Sequence, residues 1–325
     1  MKPRAIIRTI CFLKIMEIEI AVLVPCYNEA ATIAAVVNDF RNALPRATIY
    51  VFDNGSTDAT VDHARAAGAR ICSESLQGKG NVIRRMFADI EADVYLLVDG
   101  DDTYDAGAAA ELVLTLVTRQ LDMVVGRRVA SEQSAYRVGH RFGNRLLTGC
   151  VRQLFGRTFS DMLSGYRVFS RRFAKSFPAH SRGFEIETEL TVHALDMRMP
   201  VAEVATRYRS RPEGSESKLS TYRDGWRILI MIIKLFKTER PLAFFSVGGG
   251  LSILLALILA TPLILTYMAT GLVPRIPTAI LCVALTLLGA ILLTCGLILD
   301  TVTLGRLEAK RRAYLRHAAL PADAA

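Results

Sequence analysis

Tryptophan occurs once in this 325-residue chain, histidine five times and cysteine six times, and each scarcity narrows the chemistry. The cysteines (Cys11, Cys26, Cys72, Cys150, Cys282, Cys295) show no CxxC spacing, which points away from a zinc site and from a disulfide framework. The histidines are scattered, with no HExxH pairing, so any metal must be held by oxygen ligands. The formal charge is +9, yet the basic residues form no single patch and no stacking-aromatic motif accompanies them. Nucleic acid is therefore not an expected partner. Charge of either sign is missing altogether from residues 242–267 and 277–299.

Those two uncharged runs organise the C-terminal third. As a helix the first would be roughly 39 Å long at about 1.5 Å per residue. A bilayer's hydrocarbon core is about 30 Å thick, so each run is long enough to span it. Only a short stretch that includes residues 271–276 separates them, which puts both outer ends of the hairpin on one side. Basic residues at 207–240 and 306–316 flank the spans and assign that side to the cytoplasm. Residues 222–240 carry Trp226, Leu229, Ile230, Ile233, Leu235 and Phe236 among Arg227, Lys234 and Lys237, the pattern of an interfacial amphipathic helix. The run Gly248-Gly249-Gly250 reads as a close helix-packing surface. The expected division is an extension over 1–16, a globular domain over 17–221, the interfacial helix, spans of about 242–267 and 277–300, and a basic tail from 305. Such a chain is a multi-pass membrane protein with both termini cytoplasmic, in a bacterial inner membrane. Association of hairpins into a homo-oligomer is a further expectation.

The N-terminal two thirds alternate between short apolar runs and helical periodicity. Residues 19–25 (EIAVLVP) form a buried strand ending at a proline, followed by Ile33, Val36, Val37 and Phe40 at helical spacing. Strands at 48–52, 70–72 and 94–98 alternate with helices at 57–67 and 80–90, and residues 201–208 form a late strand. Alternation of this kind predicts an α/β, Rossmann-like and mostly parallel sheet, whose ligands bind at the carboxyl ends of the strands. Polar clusters stand at those ends: 26–29, 53–58 and 99–102.

The segment Asp99-Gly100-Asp101-Asp102 puts two hard oxygen donors directly after a strand, a donor set suited to Mg²⁺ or Mn²⁺ and to the phosphates such an ion holds. Alone, the pattern also fits a solvated turn or a helix cap by Asp102. Gly100 lets the backbone approach a ligand closely. Tyr27 is able to stack on a base, while Glu29 and Asp53 are able to accept hydrogen bonds from base or ribose; Asp53 fits a turn closure equally well. Gln77-Gly78-Lys79-Gly80 is a candidate phosphate-proximal loop, although Ser73 stands where a Walker A loop needs glycine.

Taken in order, these segments resemble the GT-A fold of family 2 glycosyltransferases, with Asp99 and Asp101 in the DxD position. Further on, Gly126-Arg127-Arg128, residues 160–167 (SDMLSGYR), Arg211 and 217–219 (SKL) look like the dolichyl- or polyprenyl-phosphate sugar synthases. The resemblance covers residues 20–219. It implies that Pro25, Tyr27, Glu29, Asp53 and Gly100 bind a GDP- or UDP-linked nucleotide sugar and that Asp99 and Asp101 hold the metal. It assigns Arg128 to catalysis, and Arg127, Arg137, Ser164, Arg167, Arg211 and Lys218 to the diphosphate or the acceptor.

A lipid phosphate fits the composition as acceptor. A sugar hydroxyl needs a general base, whereas a phosphate monoester with a second pKa near about 6 is already anionic at pH 7. It needs cations instead, and the chain supplies arginines at 127, 128, 137, 141, 167, 209 and 211. Processive polysaccharide synthases carry a QxxRW segment; here Trp226 follows Tyr222-Arg223-Asp224-Gly225. Transfer to a hydroxyl of a lipid-linked glycan, with Asp161 as base, is the alternative; a non-catalytic nucleotide-sugar-binding membrane subunit is the third.

Overall fold

The computed structural model describes residues 18–130, 159–183, 185–209 and 236–320, together with the single positions 149, 230, 233 and 234. The chain forms two compact units, Met1–Gly225 with Lys310–Ala325, and Trp226–Ala309. Among the described residues the first unit is built on seven strands: β1 (Ile20–Cys26), β2 (Thr48–Asp53), β3 (Arg70–Ser73), β4 (Val94–Leu97), β5 (Met123–Ala130), β6 (Arg167–Ser170) and β7 (Val201–Tyr208). Their order is β3-β2-β1-β4-β6-β5-β7. Six helices accompany them: α1 (Ile33–Ala43), α2 (Thr60–Ala66), α3 (Lys79–Asp89), α4 (Ala109–Thr118), α5 (Arg171–Ser176) and α6 (Ile186–Asp196).

The strand IAVLVPC is apolar on both faces because β1 lies inside the sheet, paired in parallel with β2 on one side and β4 on the other. On α1, Ile33, Val36, Val37 and Phe40 turn to the core, and Phe40 meets Tyr166 edge-on at 5.9 Å. The expected, mostly parallel sheet is thus present. It is mixed, because β6 runs antiparallel to both β4 and β5, while β7 pairs in parallel with β5. Strands β1 to β5 and β7 therefore share one direction. Their carboxyl ends, with the amino end of β6, lie along one edge.

The second unit contains α7 (Pro241–Thr270) and all but the last residues of α8 (Ile276–Leu315). Both are long and apolar enough to cross a membrane. Their large side chains, such as Leu251, Leu257 and Ile264, are exposed, as lipid-facing residues are. Where the two helices meet, glycine sets the distance: a Cβ on Gly289 would stand 2.5 Å from Ile253 Cγ1, and one on Gly249 would stand 2.9 Å from the Gly289 carbonyl. Gly250 faces open space, so one glycine of the run serves the contact and its neighbour does not. Most of the expected interfacial helix lies outside the described residues.

The segment expected as a separate basic tail divides differently. Helix α8 continues to Leu315, and from Lys310 the chain belongs to the first unit. There Tyr314 donates a 2.8 Å hydrogen bond to Asp122 Oδ2, Lys310 pairs with Asp196 at 3.4 Å, and Leu320 is buried in the core. Asp122 is fully buried and also accepts from Ser170 Oγ at 2.7 Å and Arg172 Nε at 2.6 Å; the Arg172 guanidinium lies 4.8 Å over the Tyr314 ring. This knot sits where β5 begins and β6 ends, the edge opposite the strand-end loops.

Candidate active site

The strand-end loops are knitted to one another by short polar side chains. After β1, Asn28 adopts a positive φ of 53° and its Oδ1 accepts from Thr57 N at 2.8 Å; its own N–H donates to Ser56 Oγ at 2.9 Å. Glu29 N donates to Thr60 Oγ1 at 2.8 Å. After β2, Asn54 Nδ2 donates to the carbonyls of Glu74 and Leu76, and Asn54 Oδ1 accepts from Gly78 N at 2.7 Å. Backbone groups that would otherwise be orphaned at strand ends are satisfied this way, and the loops become one rigid rim. Tyr27 is exposed on it, Glu29 and Pro25 half-buried. The Asp53 carboxylate, nearly buried, accepts from Gly55 N and Ser56 N, so it closes its own turn.

Beyond β4, Asp99 and Asp101 point to different surroundings. Asp101 is buried, with Oδ1 accepting from Thr103 Oγ1 at 2.7 Å. Asp99 is more open, and its Oδ1 accepts from Lys79 Nζ at 2.5 Å. The same ammonium donates to Glu187 Oε1 at 2.5 Å, so one lysine at the start of α3 bridges β4 and α6. Burial acts to depress this ammonium, and the two carboxylates outweigh it, holding the pKa above the usual lysine range. On the other side of Asp99 stands Gly165, where a Cβ would lie 2.4 Å from Asp99 Oδ2. The Gly165 N–H donates to the Tyr104 hydroxyl at 2.8 Å.

The next layer is aromatic and cationic. Tyr104 packs against Tyr208 at 5.3 Å and Tyr166 at 5.4 Å, and burial raises the pKa of each of the three phenols. Arg128, at the end of β5, lies 5.5 Å over the Tyr208 ring. Its Nε and Nη2 form a fork with Asp161 at 2.8 and 2.7 Å. Burial acts to raise the Asp161 pKa, but the Arg128 fork prevails and holds it below the ordinary carboxylate range. Asp161 is therefore an ion-pair partner with low basicity, not a poised base. Arg127 is exposed on the outside of the same strand end.

Several residues proposed from sequence do different work. Arg167 is fully buried: Nε donates to the Ser164 carbonyl at 2.9 Å, Nη1 to Thr191 Oγ1 at 2.8 Å and Nη2 to the Met162 carbonyl at 2.5 Å. Burial lowers its pKa to about 10, and its donors are turned inward to fasten residues 159–166 to α6. It is not presented to a ligand. Ser164 is likewise internal, donating to the Gly126 carbonyl at 2.6 Å. Gly100 is packed by protein, since a Cβ there would stand 2.8 Å from Cys26 Sγ. In the 77–80 loop, a Cβ on Gly78 or Gly80 would strike the carbonyl of Arg182 or Ser181, and Gly80 N already donates to Arg182. Those glycines make room for backbone rather than for phosphate. Arg137, Arg211 and Lys218 lie outside the described residues. Sequence reasoning missed Lys79 as a partner of Asp99, along with Glu187, Tyr104 and Gly165; only the glycine-flanked lysine offered a signal.

Two carboxylates at a strand end fit Mg²⁺ or Mn²⁺, and among the described residues no cluster of three His, Cys, Asp or Glu forms. An ion here would complete its shell with phosphate oxygens and water, the ordinary habit of Mg²⁺.

Residues 21–177 match the family described as Glycosyl transferase family 2. Glycosyltransferase AglJ of Haloferax volcanii is 35% identical over 295 residues, covering 90% of this chain and 96% of that one. A dolichyl-phosphate hexose transferase of the same organism is 27% identical, covering 68% and 96%. Among solved structures, Mycobacterium tuberculosis glucosyl-3-phosphoglycerate synthase with Mn²⁺, UDP-glucose and phosphoglyceric acid superposes with a TM-score of 0.58 at 23% identity, over 70% of this chain and 82% of that one. The fold is GT-A, as the motifs implied.

Proposed function

The chain belongs to glycosyltransferase family 2, and from that premise we propose that it transfers a sugar from a GDP- or UDP-linked donor to a polyprenyl-phosphate lipid at the cytoplasmic face of a membrane, with inversion, for glycan assembly. The observation that carries the reading is the meeting of Asp99, Asp101 and the Arg128–Asp161 fork around Tyr104 and Tyr208, in a chain that also has two helices able to span a bilayer. The dolichyl-phosphate hexose transferase relative supports the same acceptor class.

In this reading Asp99 and Asp101 hold Mg²⁺ or Mn²⁺, which when bound neutralises the charge gathering on the departing nucleoside diphosphate. A structural relative that carries Mn²⁺ with UDP-glucose supports this cofactor class. Tyr27, Glu29 and Asp53 line the rim where base and ribose would lie, with Pro25 ending the strand beneath them. The lipid phosphate arrives ionised, so the site's task is to hold and neutralise it. Arg127 is exposed at the same strand end and is proposed to meet it, and Arg128 is already oriented by Asp161. Arg137, Arg211 and Lys218 are the remaining cations proposed for that phosphate. Low basicity at Asp161 favours this acceptor over a hydroxyl.

Incubation of the purified chain with a panel of radiolabelled GDP- and UDP-sugars, and with polyprenyl phosphate or the matching polyprenol, tests the proposal. The expected product is an acid-labile lipid formed only from the phosphate and lost with EDTA. Turnover of the free alcohol, or full activity in EDTA, would sink it.

A further inference from the structure

Lys79 is a cation built into a site whose proposed cofactor is a cation. Its side chain is 9% exposed, Glu187 is 6% exposed and Asp99 27%, so the two buried members lie on the protein side and the open member faces the rim. Both N–O distances are 2.5 Å, which puts the ammonium equally close to the two acids. The geometry points to a competition: Lys79 acts as the resident counter-ion of Asp99, and it gives up that oxygen to an arriving divalent ion while remaining paired with Glu187. This inference rests on the reading of Asp99 as a metal ligand.

The physical case turns on what happens to the displaced ammonium. A buried charge stripped of its partner is strongly unfavourable, whereas one that keeps a second partner is not. Glu187 supplies that second partner at no cost in distance. It stands in the first turn of α6 with its side chain buried, so it is already in place. Asp99 has less room to leave, because the Gly165 backbone lies so close to its Oδ2 that no Cβ would fit there. The carboxylate stays, and its partner changes. Lys79 is then a positioning residue: it keeps Asp99 in place in the empty enzyme and sets how tightly an ion must bind to claim it. Glu187 sets the opposite pull, drawing the ammonium off Asp99.

Two neutral substitutions therefore move ion affinity in opposite directions, which a merely structural role does not produce. The measurement is a titration of the purified full chain in detergent with MnCl₂ alone, reading free Mn²⁺ by its electron paramagnetic resonance signal. Lys79→Gln removes the competitor and is expected to tighten Mn²⁺ by about tenfold, the equivalent of one charge-assisted hydrogen bond. Glu187→Gln leaves the ammonium with Asp99 as its ion-pair partner and is expected to weaken Mn²⁺ by a similar factor. The Lys79→Gln/Glu187→Gln double variant removes both charges, leaves no unpaired buried ion, and is expected to match Lys79→Gln; it keeps the test open should a single variant fail to fold. Parallel weakening in Lys79→Gln and in the double variant, or no measurable binding by either, overturns the inference. Asp99→Asn separates this from the underlying reading: loss of Mn²⁺ there with Lys79→Gln unchanged overturns the competition alone, while Asp99→Asn binding like the parent chain overturns the metal assignment too.

Discussion

Replacing Gly165 by alanine is the sharpest probe of how tightly the site is built. A Cβ at this position would stand 2.4 Å from Asp99 Oδ2, where ordinary contact begins near 3.4 Å. One of the two groups must therefore move by about 1 Å, a displacement that near the reacting atoms costs on the order of 100-fold in rate. Asp99 has little freedom to yield, since its other oxygen is fastened to Lys79 in the empty enzyme and, on the proposed reading, to the ion in the loaded one. Gly165 has little either, since its N–H is spent on Tyr104 and the next residues enter β6. Overpacking of this kind also costs about 1–3 kcal/mol of stability. Initial rates of sugar transfer, with melting followed alongside, are expected to show kcat/KM down about 100-fold in a folded protein. Gly305→Ala is the control, because that helical position meets nothing within 4 Å. A Gly165→Ala enzyme within about threefold of the parent, under 1 kcal/mol of barrier, would refute the idea that Asp99 is held between Lys79 and Gly165.

Three further outcomes follow from the packing. His193 is buried against Phe173 and Phe177, with Nε2 3.3 Å from Ser176 Oγ, and burial, aided by Lys310, pushes its pKa down to about 3. The unfolded chain protonates this imidazole near pH 6.5 while the folded one does not, so stability falls as pH drops from about 6.5 toward 3, by at most about 1.4 kcal/mol per unit. His193→Gln should flatten that slope in denaturant titrations between pH 7.5 and 4.5. Tyr314→Phe deletes one hydrogen bond to the Asp122 carboxylate and should cost about 1.5–3 kcal/mol, whereas Asp122→Ala strands Arg172 as well and should cost about 3–5, both read by chemical denaturation. Gly289→Leu places a side chain into Ile253 and should separate α7 from α8, seen as loss of a disulfide engineered across that contact.

Much of the first unit was legible because its strands are apolar on both faces and end at turn residues. Strand β1, from Ile20, and β2, from Thr48, announce themselves in this way, and α1 does so through its four core positions. β5 did not, since it carries Gly126-Arg127-Arg128 in its middle and owes its place to partners far along the chain, Gly126 standing opposite Val204. β6 is four residues long, too short for a period, and its antiparallel direction is set by neighbours alone. The DxD carboxylates could be found from type and spacing. Lys79 could not, because its role depends on a glutamate 108 positions later. Arg167 misled for the reverse reason: an arginine that fastens carbonyls inside a core has the same letter as one that grips phosphate.

The Tyr314–Asp122 knot bears on any attempt to make a water-soluble version of this enzyme. Cutting ahead of the first apolar helix discards more than the anchor, since it also takes the closing piece of the globular part. The stump would show water a carboxylate meant to be covered and a vacant slot once filled by Leu320. Splicing residues 310–320 back on through a flexible joint is the remedy that such a truncation calls for.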